Sequence, residues 1–328
     1  MTAASLLRTE RGANGLRRIA PRQDMTAVAD LIEMVFAQQM DSAGRRMLRE
    51  MRTLGRAGPL GALLGRFFLP PAATTPMGYV WEQDGRIVGN ASLLPIPGHP
   101  RHWILANVAV HPRQRGRGIG RALTAACLEL AYEKAAAAVR LQVDKDNQQA
   151  QVLYASLGFR PVTTRTTWHG GLRLCMPDTP ALTLARPREM GEWRQQLALA
   201  DEVHPEGLLW PFPSNQGMFR ESRLSRWFGL SSTRHWVWKE DGRLLGSLSA
   251  RHQMEEWRWN LVLVVQPEAR GRIEGPLLAA AAQDLGAQGA RIVFDYPSGP
   301  ADALLTAWGY KAKRTLTWMI HNEESHGG

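Results

Sequence analysis

Trp103-Ile104-Leu105-Ala106-Asn107-Val108-Ala109-Val110 leads directly into His111-Pro112-Arg113-Gln114-Arg115-Gly116-Arg117-Gly118-Ile119-Gly120-Arg121. The first eight residues read as a strand that stops at His111-Pro112, because they are mostly apolar and because proline ends a ladder. Past the glycines, Ile119, Leu123, Cys127 and Leu130 recur at helical spacing. A glycine-rich turn therefore joins a strand to a helix N-terminus. Such a turn admits positive φ, brings backbone N–H groups close to an anion and aims the positive end of a helix dipole at it. The pattern lacks the Gly-Lys-Ser/Thr of a Walker loop and the spacing of a dinucleotide fingerprint. Taken alone it is also compatible with a tight turn that needs glycine only for its geometry.

Outward from this stretch the chain repeats itself. Val80-Trp81-Glu82-Gln83-Asp84-Gly85-Arg86-Ile87-Val88-Gly89 is matched by Val237-Trp238-Lys239-Glu240-Asp241-Gly242-Arg243-Leu244-Leu245-Gly246. Each reads as a hairpin around an Asp-Gly turn. Val110-His111-Pro112-Arg113-Gln114-Arg115-Gly116-Arg117 has its counterpart in Val265-Gln266-Pro267-Glu268-Ala269-Arg270-Gly271-Arg272, and Leu157-Gly158-Phe159 in Trp308-Gly309-Tyr310. The offsets are 157, 155 and 151, so the order is kept with small insertions. Three matches in register indicate duplication of a unit of about 150 residues, a whole domain rather than a solenoid repeat. The turn-rich stretches His169-Gly170-Gly171 and Pro177-Asp178-Thr179-Pro180 place the junction between Trp168 and Leu182, which gives domains 1–175 and 176–328. Each half runs from a strand (Leu16–Ala20; Leu182–Ala185) through helical segments to the hairpin and a long strand (Trp103–Val110; Trp257–Val265). A helix, a strand (Ala138–Val143; Arg291–Asp295), another helix and closing strands follow. Strand-helix alternation plus a hairpin predicts an α/β fold with a mixed sheet and helices on its faces.

In the first half the next strand ends in Leu141-Gln142-Val143-Asp144, and a helix follows with Asn147, Ala150, Leu153, Tyr154 and Leu157, closed by Gly158 and Phe159. Val110-x-Pro112, then Arg115-Gly116-Arg117-Gly118-Ile119-Gly120, then Asn147-x-x-Ala150-x-x-Leu153-Tyr154-x-x-x-Gly158-Phe159 resembles the GCN5-related N-acetyltransferase (GNAT) superfamily. The resemblance covers residues 16–168 well and 182–320 more weakly, as a degenerate second copy. It implies two tandem acyl-CoA N-acyltransferase domains, acetyl-CoA as co-substrate and transfer of the acetyl group to a primary amine by direct attack on the thioester. By the same resemblance, loop amides from Gly116 to Arg121 hold the CoA pyrophosphate, with Arg115, Arg117, Gly118, Ile119 and Gly120 in that segment. Val108, Ala109 and Val110 meet the pantetheine and the thioester carbonyl. Asn147 joins the cofactor site, and Tyr154 protonates the departing thiolate. From the residues alone, Tyr154 also fits the apolar stripe 150/153/154/157 as a core side chain, Asn147 fits a helix N-cap, and Arg115 and Arg117 fit solvated surface charge.

Composition bounds the remaining choices. The 328 residues are 44% hydrophobic and 21% charged, ordinary values for a globular protein of two domains. No apolar run approaches the roughly 20 residues that span a bilayer, and the opening residues lack a signal-peptide pattern. Two cysteines, Cys127 and Cys175, make neither a disulfide framework nor a cysteine-rich metal site. A cytoplasmic location is therefore expected. Nine histidines without ligand spacing predict no metal. The net charge of +10 is uneven: residues 1–175 carry 23 Lys+Arg against 12 Asp+Glu, and residues 176–328 carry 17 against 18. The first half thus expects an anionic partner, which suits CoA phosphates, while the neutral second half speaks against a nucleic-acid binder.

Two positions depart from the family pattern. The acidic residue common before the loop falls near Ile104, and the glutamate of peptide N-terminal acetyltransferases falls on Gln142. Asp144, His111, Glu33 and Glu82 are the remaining base candidates, with water or a substrate amine of low pKa as alternatives. Arg45, Arg49, Arg52 and Arg56 lie on one helical face, with Met47, Met51 and Leu54 on another and the apolar Gly58–Leu69 after them. This reads as an ordinary amphipathic helix with a solvated basic face; the resemblance implies that the region lines the acceptor site, which makes an anionic acceptor the second reading and a membrane-surface helix the last. Nine of twelve tryptophans lie in the second half, and Trp236/Trp238 and Trp257/Trp259 alternate as in strands. They are expected in the core, between domains or as an aromatic wall of the acceptor pocket. The expected function is an acetyl-CoA-dependent N-acetyltransferase with one active half, acting on a small molecule or protein amine as a monomeric pseudo-dimer or homodimer. The alternative is a non-catalytic acetyl-CoA-binding regulator.

Overall fold

The computed structural model describes residues 14–38, 40, 42–56, 77–96, 99–171, 184–204, 208–209, 212–213, 219–220, 233–253, 257–285 and 291–322. In chain order the elements are β1 (Gly15–Arg18), α1 (Pro21–Phe36), α2 (Ser42–Arg56), β2 (Met77–Gln83), β3 (Arg86–Ile96), β4 (His99–Val110), α3 (Ile119–Glu133), β5 (Ala138–Asp144), α4 (Gln148–Ala155) and β6 (Arg160–Gly171). There follow β7 (Ala185–Pro187), α5 (Trp193–Val203), β8 (Leu208–Leu209), β9 (Phe212–Pro213), β10 (Thr233–Glu240), β11 (Arg243–Gln253), β12 (Arg258–Val265), α6 (Glu274–Asp284), β13 (Arg291–Pro297), α7 (Asp302–Ala307) and β14 (Lys311–Asn322).

The chain divides into two units. The first is Met1–Val143 with Asn147–Val162 and Trp318–Gly328, and the second is Asp144–Asp146 with Thr163–Thr317. In the first, β1, β2, β3 and β4 pair antiparallel in that order and β5 joins β4 in parallel. The last residues of β14 complete this sheet beside β5. In the second, β7, β10, β11 and β12 are antiparallel neighbours, β13 joins β12 in parallel, and β6 pairs antiparallel with β13. The expected junction at residue 175 lies outside the described residues. Most of β6 is thus in the second unit, although it precedes that junction in the chain, and the end of β14 is in the first.

Both units are built the same way for the same local reasons. The Asp-Gly hairpins turn through left-handed backbone at both central residues, φ +51 and +70 at Asp84-Gly85 and +48 and +77 at Asp241-Gly242. That is the twist a two-residue connection requires. Strand alternation sends successive side chains to opposite cores. On β2, Tyr79 packs with Ile119, Leu123 and Cys127 of α3, while Val80 packs with Met25, Val28 and Leu48 of the α1–α2 pair. On β10, Trp236 and Trp238 pack with Ile273 and Leu277, while Val237 packs with Leu199 of α5. Helices therefore cover both faces of each sheet. The repeated glycine on the second hairpin strand lets its helix come close. A Cβ on Gly89 would sit 2.9 Å from Ile119 Cγ2, and one on Gly246 would sit 2.6 Å from Ile273 Cδ1.

Three expectations are corrected. Trp257 is not a strand residue. It precedes β12 at φ +48 and is 77% exposed, so it does not share a buried face with Trp259. On α2 the buried apolar residues are Leu48 and Met51, while Met47 and Leu54 are exposed. The basic face of α2 is partly neutralised, because Arg52 pairs with Asp30 at 2.7 Å and Glu33 at 2.5 Å on α1. Gly58–Leu69 lies outside the described residues. Among the described residues, no helix is long and apolar enough to cross a membrane.

The duplication also keeps an ion cluster at the first strand of each unit. Arg17 holds Asp24 at 2.7 Å and Glu82 at 2.6 Å. Arg186 holds Glu192 at 2.7 Å, and Lys239, at the repeat position of Glu82, holds it at 2.6 Å. Burial alone would raise the Glu192 carboxyl, but hydrogen bonds from Arg186, Lys239 and the Glu189 amide outweigh it and hold it at about 2. The folded value lies below the unfolded one. The ionised form therefore stabilises the fold fully above roughly pH 4.5, and this contribution fades as pH falls toward the folded value. Glu192→Gln is expected to lower the urea midpoint at neutral pH and to flatten its decline between about pH 4 and 2. An acid limb identical to that of the parent would locate the titration elsewhere.

Candidate functional site

The site is assembled where β4 and β5 part. Their pairing consists of His102↔Ala138, Trp103↔Val139 and Ile104↔Arg140. β4 then runs on to Val110. Three residues past Ile104 its register against β3 skips: Asn90 faces Ala109 and Ser92 faces Ala106, so Ala91 alone opposes Asn107 and Val108. That is a β-bulge. Asn107 sits in the left-handed region at φ +54, which asparagine tolerates better than most residues.

Beyond the strand, Pro112–Gln114 form a 3-10 turn whose first amides are capped by His111, Nδ1 accepting from Arg113 N at 3.2 Å. Gly116 and Gly118 both have φ +78, and Gly118 is the left-handed N-cap of α3. Among the described residues, the N–H groups of residues 116–121 have no hydrogen-bond partner, and a Cβ on Gly116 or Gly118 would meet nothing within 4 Å. The loop therefore presents a row of free donors to open space at a helix N-terminus. Backbone donors in this arrangement suit an anion. Ile119 is buried in the core, so it offers the loop its amide and not its side chain. Gly120 lies against Leu153 Cδ2 and Val110 Cγ2, at 3.5 and 3.8 Å from the Cβ it lacks. The first turn of α3, the end of β4 and α4 thus meet at one point.

The remaining expected residues divide by role. Val108 and Val110 are half-buried, and Ala109 is fully buried against the α1–α2 core. Arg115 Nε donates to the Val110 carbonyl at 3.4 Å, and Arg121 Nη2 donates to Ser156 Oγ at 2.5 Å. Arg117 is exposed. Asn147 is the N-cap of α4, its Oδ1 accepting from Ala150 N at 3.1 Å. Tyr154 is 7% exposed, stands edge-on to Phe159 at 5.8 Å, and its hydroxyl is pushed up to about 12 by burial.

Each candidate base is engaged. Glu82 belongs to the Arg17 cluster, Glu33 to Arg52, and Asp144 lies 3.6 Å from Arg314 Nε and accepts from Asp146 N at 3.3 Å. His111 caps its turn through Nδ1. Gln142 is half-buried, and among the described residues its Nε2 has no partner. Sequence reasoning missed Asn90, which is fully buried and donates from Nδ2 to the Asn107 carbonyl at 2.9 Å. The available signal was an asparagine inside an otherwise apolar strand.

The second unit keeps the 3-10 turn (Pro267–Ala269) and a left-handed glycine, Gly271 at φ +81, but differs in the strand, the N-cap and the loop donor. β11 and β12 stay in register from Gly246↔Val265 to Gln253↔Arg258, with no bulge. The N-cap of α6 is Ile273 at φ −108, fully buried. Gly271 N donates to Glu274 Oε1 at 2.9 Å, and the Tyr296 hydroxyl donates to the same oxygen at 2.6 Å. A carboxylate of the chain itself occupies the loop donor. At offset 151, Tyr154 becomes Leu305, which is fully buried.

Comparison with known proteins agrees with this geometry. Residues 59–159 match the acetyltransferase (GNAT) family. Mycothiol acetyltransferase of Nocardia farcinica is 32% identical over 156 residues, which is 45% of this chain and 48% of that protein. The chain thus matches about half the length of this relative. A GCN5-related N-acetyltransferase from Sphaerobacter thermophilus superposes with a TM-score of 0.56 at 18% identity, covering 94% of this chain and 95% of that one. A tandem GNAT protein from the clavulanic acid biosynthesis pathway superposes with a TM-score of 0.50 at 18% identity, covering 94% and 98%. The fold is the GNAT fold, a mixed α/β sheet with helices.

Proposed function

We propose that this protein is an acetyl-CoA-dependent N-acetyltransferase in which the first unit carries the chemistry and the second is a degenerate copy. The observation that carries the reading is the pair of left-handed glycines, Gly116 and Gly118, with free amides at the N-terminus of α3 beside a strand that bulges away from its neighbour. Acetyl-CoA would bring the acyl group as a thioester. The amides of residues 116–121 are the donors for its pyrophosphate, and the charge excess of the first half of the chain favours that polyanion. The β4 backbone around Val108–Val110 is the edge for the pantetheine. Tyr154, protonated at any physiological pH, is the donor for the departing thiolate.

Among the described residues, the candidate carboxylates Glu33, Glu82 and Asp144 are each paired with an arginine, so the acceptor in this reading is a primary amine that reaches the site neutral or gives its proton to water. A small-molecule amine fits better than a protein N-terminus, because Gln142 stands where a glutamate base would be expected. The name of the Nocardia relative points the same way. CoA thiol release measured against a panel of amines separates this function from a purely regulatory acetyl-CoA binder, for which no amine would release thiol.

Because Glu274 fills its own loop and Ile273 covers the N-cap, the second unit is expected not to bind acetyl-CoA in this mode. Calorimetric titration of the whole chain should give one site. A stoichiometry of two would overturn the assignment of the second unit.

A further inference from the structure

Loop amides can hold phosphates, but acyl transfer also depends on which way β4 turns its backbone. One buried side chain is bonded to that backbone at the bulge. Asn90 on β3 is fully buried, and its Nδ2 donates to the Asn107 carbonyl at 2.9 Å and to Ser92 Oγ at 3.2 Å. A carbonyl only accepts, so the nitrogen end of the Asn90 amide must face it. The carbonyl belongs to the residue at φ +54 in the bulge. A trans peptide points its C=O and its N–H in opposite directions. Clamping the Asn107 carbonyl on Asn90 therefore turns the Val108 N–H away from Asn90.

The second unit supplies an internal comparison. Offset 157 places Ser247 at the position of Asn90, and its partner across the sheet, Val264, corresponds to Ala109. A serine is too short to reach a carbonyl on the neighbouring strand's bulge, and among the described residues its buried Oγ has no hydrogen-bond partner. There the register runs without a skip. The unit with asparagine has the bulge, and the unit with serine does not.

We infer that Asn90 is a positioning residue for acyl transfer: its clamp on the Asn107 carbonyl aims the Val108 amide at the acetyl carbonyl of the bound thioester. This rests on the acetyltransferase reading above. Asn90→Leu keeps the branching and heavy-atom count of the side chain and removes the donor, so the bulge relaxes while the loop is untouched. The expected result is a kcat lowered on the order of 10²-fold, with CoA affinity within about threefold of the parent, because a misaimed donor costs rate and not phosphate binding. Hydrogen exchange should show faster exchange across residues 105–110. Ser92→Ala, which removes the other partner of Nδ2, should keep kcat within about twofold. An unchanged kcat in Asn90→Leu overturns the inference, and so does a loss of CoA affinity and melting temperature in step with rate, which would mark a purely structural residue. If the parent protein itself fails to bind acetyl-CoA, the acetyltransferase reading falls. The exchange measurement still decides the clamp in that case: unaltered protection at 105–110 refutes it.

Discussion

Gly118→Ile is expected to abolish acetyl-CoA binding while the protein stays folded. Gly118 caps α3 at φ +78, a conformation that a β-branched residue adopts at a cost of about 1–3 kcal/mol. That is a fraction of the roughly 5–15 kcal/mol by which a domain is stable. The new Cβ would meet no protein atom within 4 Å. It would stand instead in the open space that the loop amides face, where an incoming pyrophosphate must sit, and it would press the N-cap toward the right-handed backbone that Ile273 adopts in the second unit. Gly120→Ala is the control. Its Cβ would make ordinary contacts of 3.5 and 3.8 Å, and binding should survive. Calorimetry that still finds micromolar affinity in Gly118→Ile would remove the loop from the site.

Much of the candidate site's backbone is legible in the sequence, because its signals are local. An Asp-Gly pair between alternating apolar residues dictates its hairpin, and paired glycines after a strand dictate left-handed backbone wherever the helix starts. The repeat is legible for the same reason, since turns and close approaches such as Gly89 and Gly246 constrain the sequence of both units alike. What escaped was non-local. Nothing near β6 says that Arg165–Gly171 will pair with Arg291–Pro297, or that Met319 and the buried His321 will lie in the first unit, where His321 stands 5.3 Å from the Phe159 ring. Strand partners are chosen by the whole sheet, and a strand's own pattern fits either edge. The bulge was hidden likewise: Asn107 is conspicuous only once Asn90, seventeen residues earlier, is seen to donate to it. The pairing of the base candidates is hidden for a third reason. An acidic residue in a sequence does not show its counter-ion, and Glu33 and Glu82 turned out to be held by arginines from distant or neighbouring elements.

Tyr154→Phe is expected to lower kcat by about 10²-fold or more, the usual worth of a general acid, while acetyl-CoA affinity and thermal stability stay near those of the parent. The substitution isolates one atom. The ring keeps its place in the core and its edge contact with Phe159, and among the described residues the hydroxyl has no partner to strand. Removing a buried hydroxyl that bonds to no protein group leaves no unsatisfied acceptor behind, so a loss of stability is not the expected outcome. Burial holds the hydroxyl at about 12, which fixes the sign of the pH dependence. A phenol with a raised pKa remains a proton donor across the whole neutral and mildly alkaline range, so its titration cannot depress the parent rate there. With Glu33, Glu82 and Asp144 each held by an arginine, the rate of the parent should instead rise with pH as the acceptor amine loses its charge, and level off above that amine's pKa. In Tyr154→Phe the same rise should persist at a lower plateau, because the lost group is the acid and not the base. Unchanged turnover would reduce Tyr154 to core packing and leave water to protonate the thiolate, whereas a lowered plateau with unchanged CoA affinity assigns the proton to this hydroxyl.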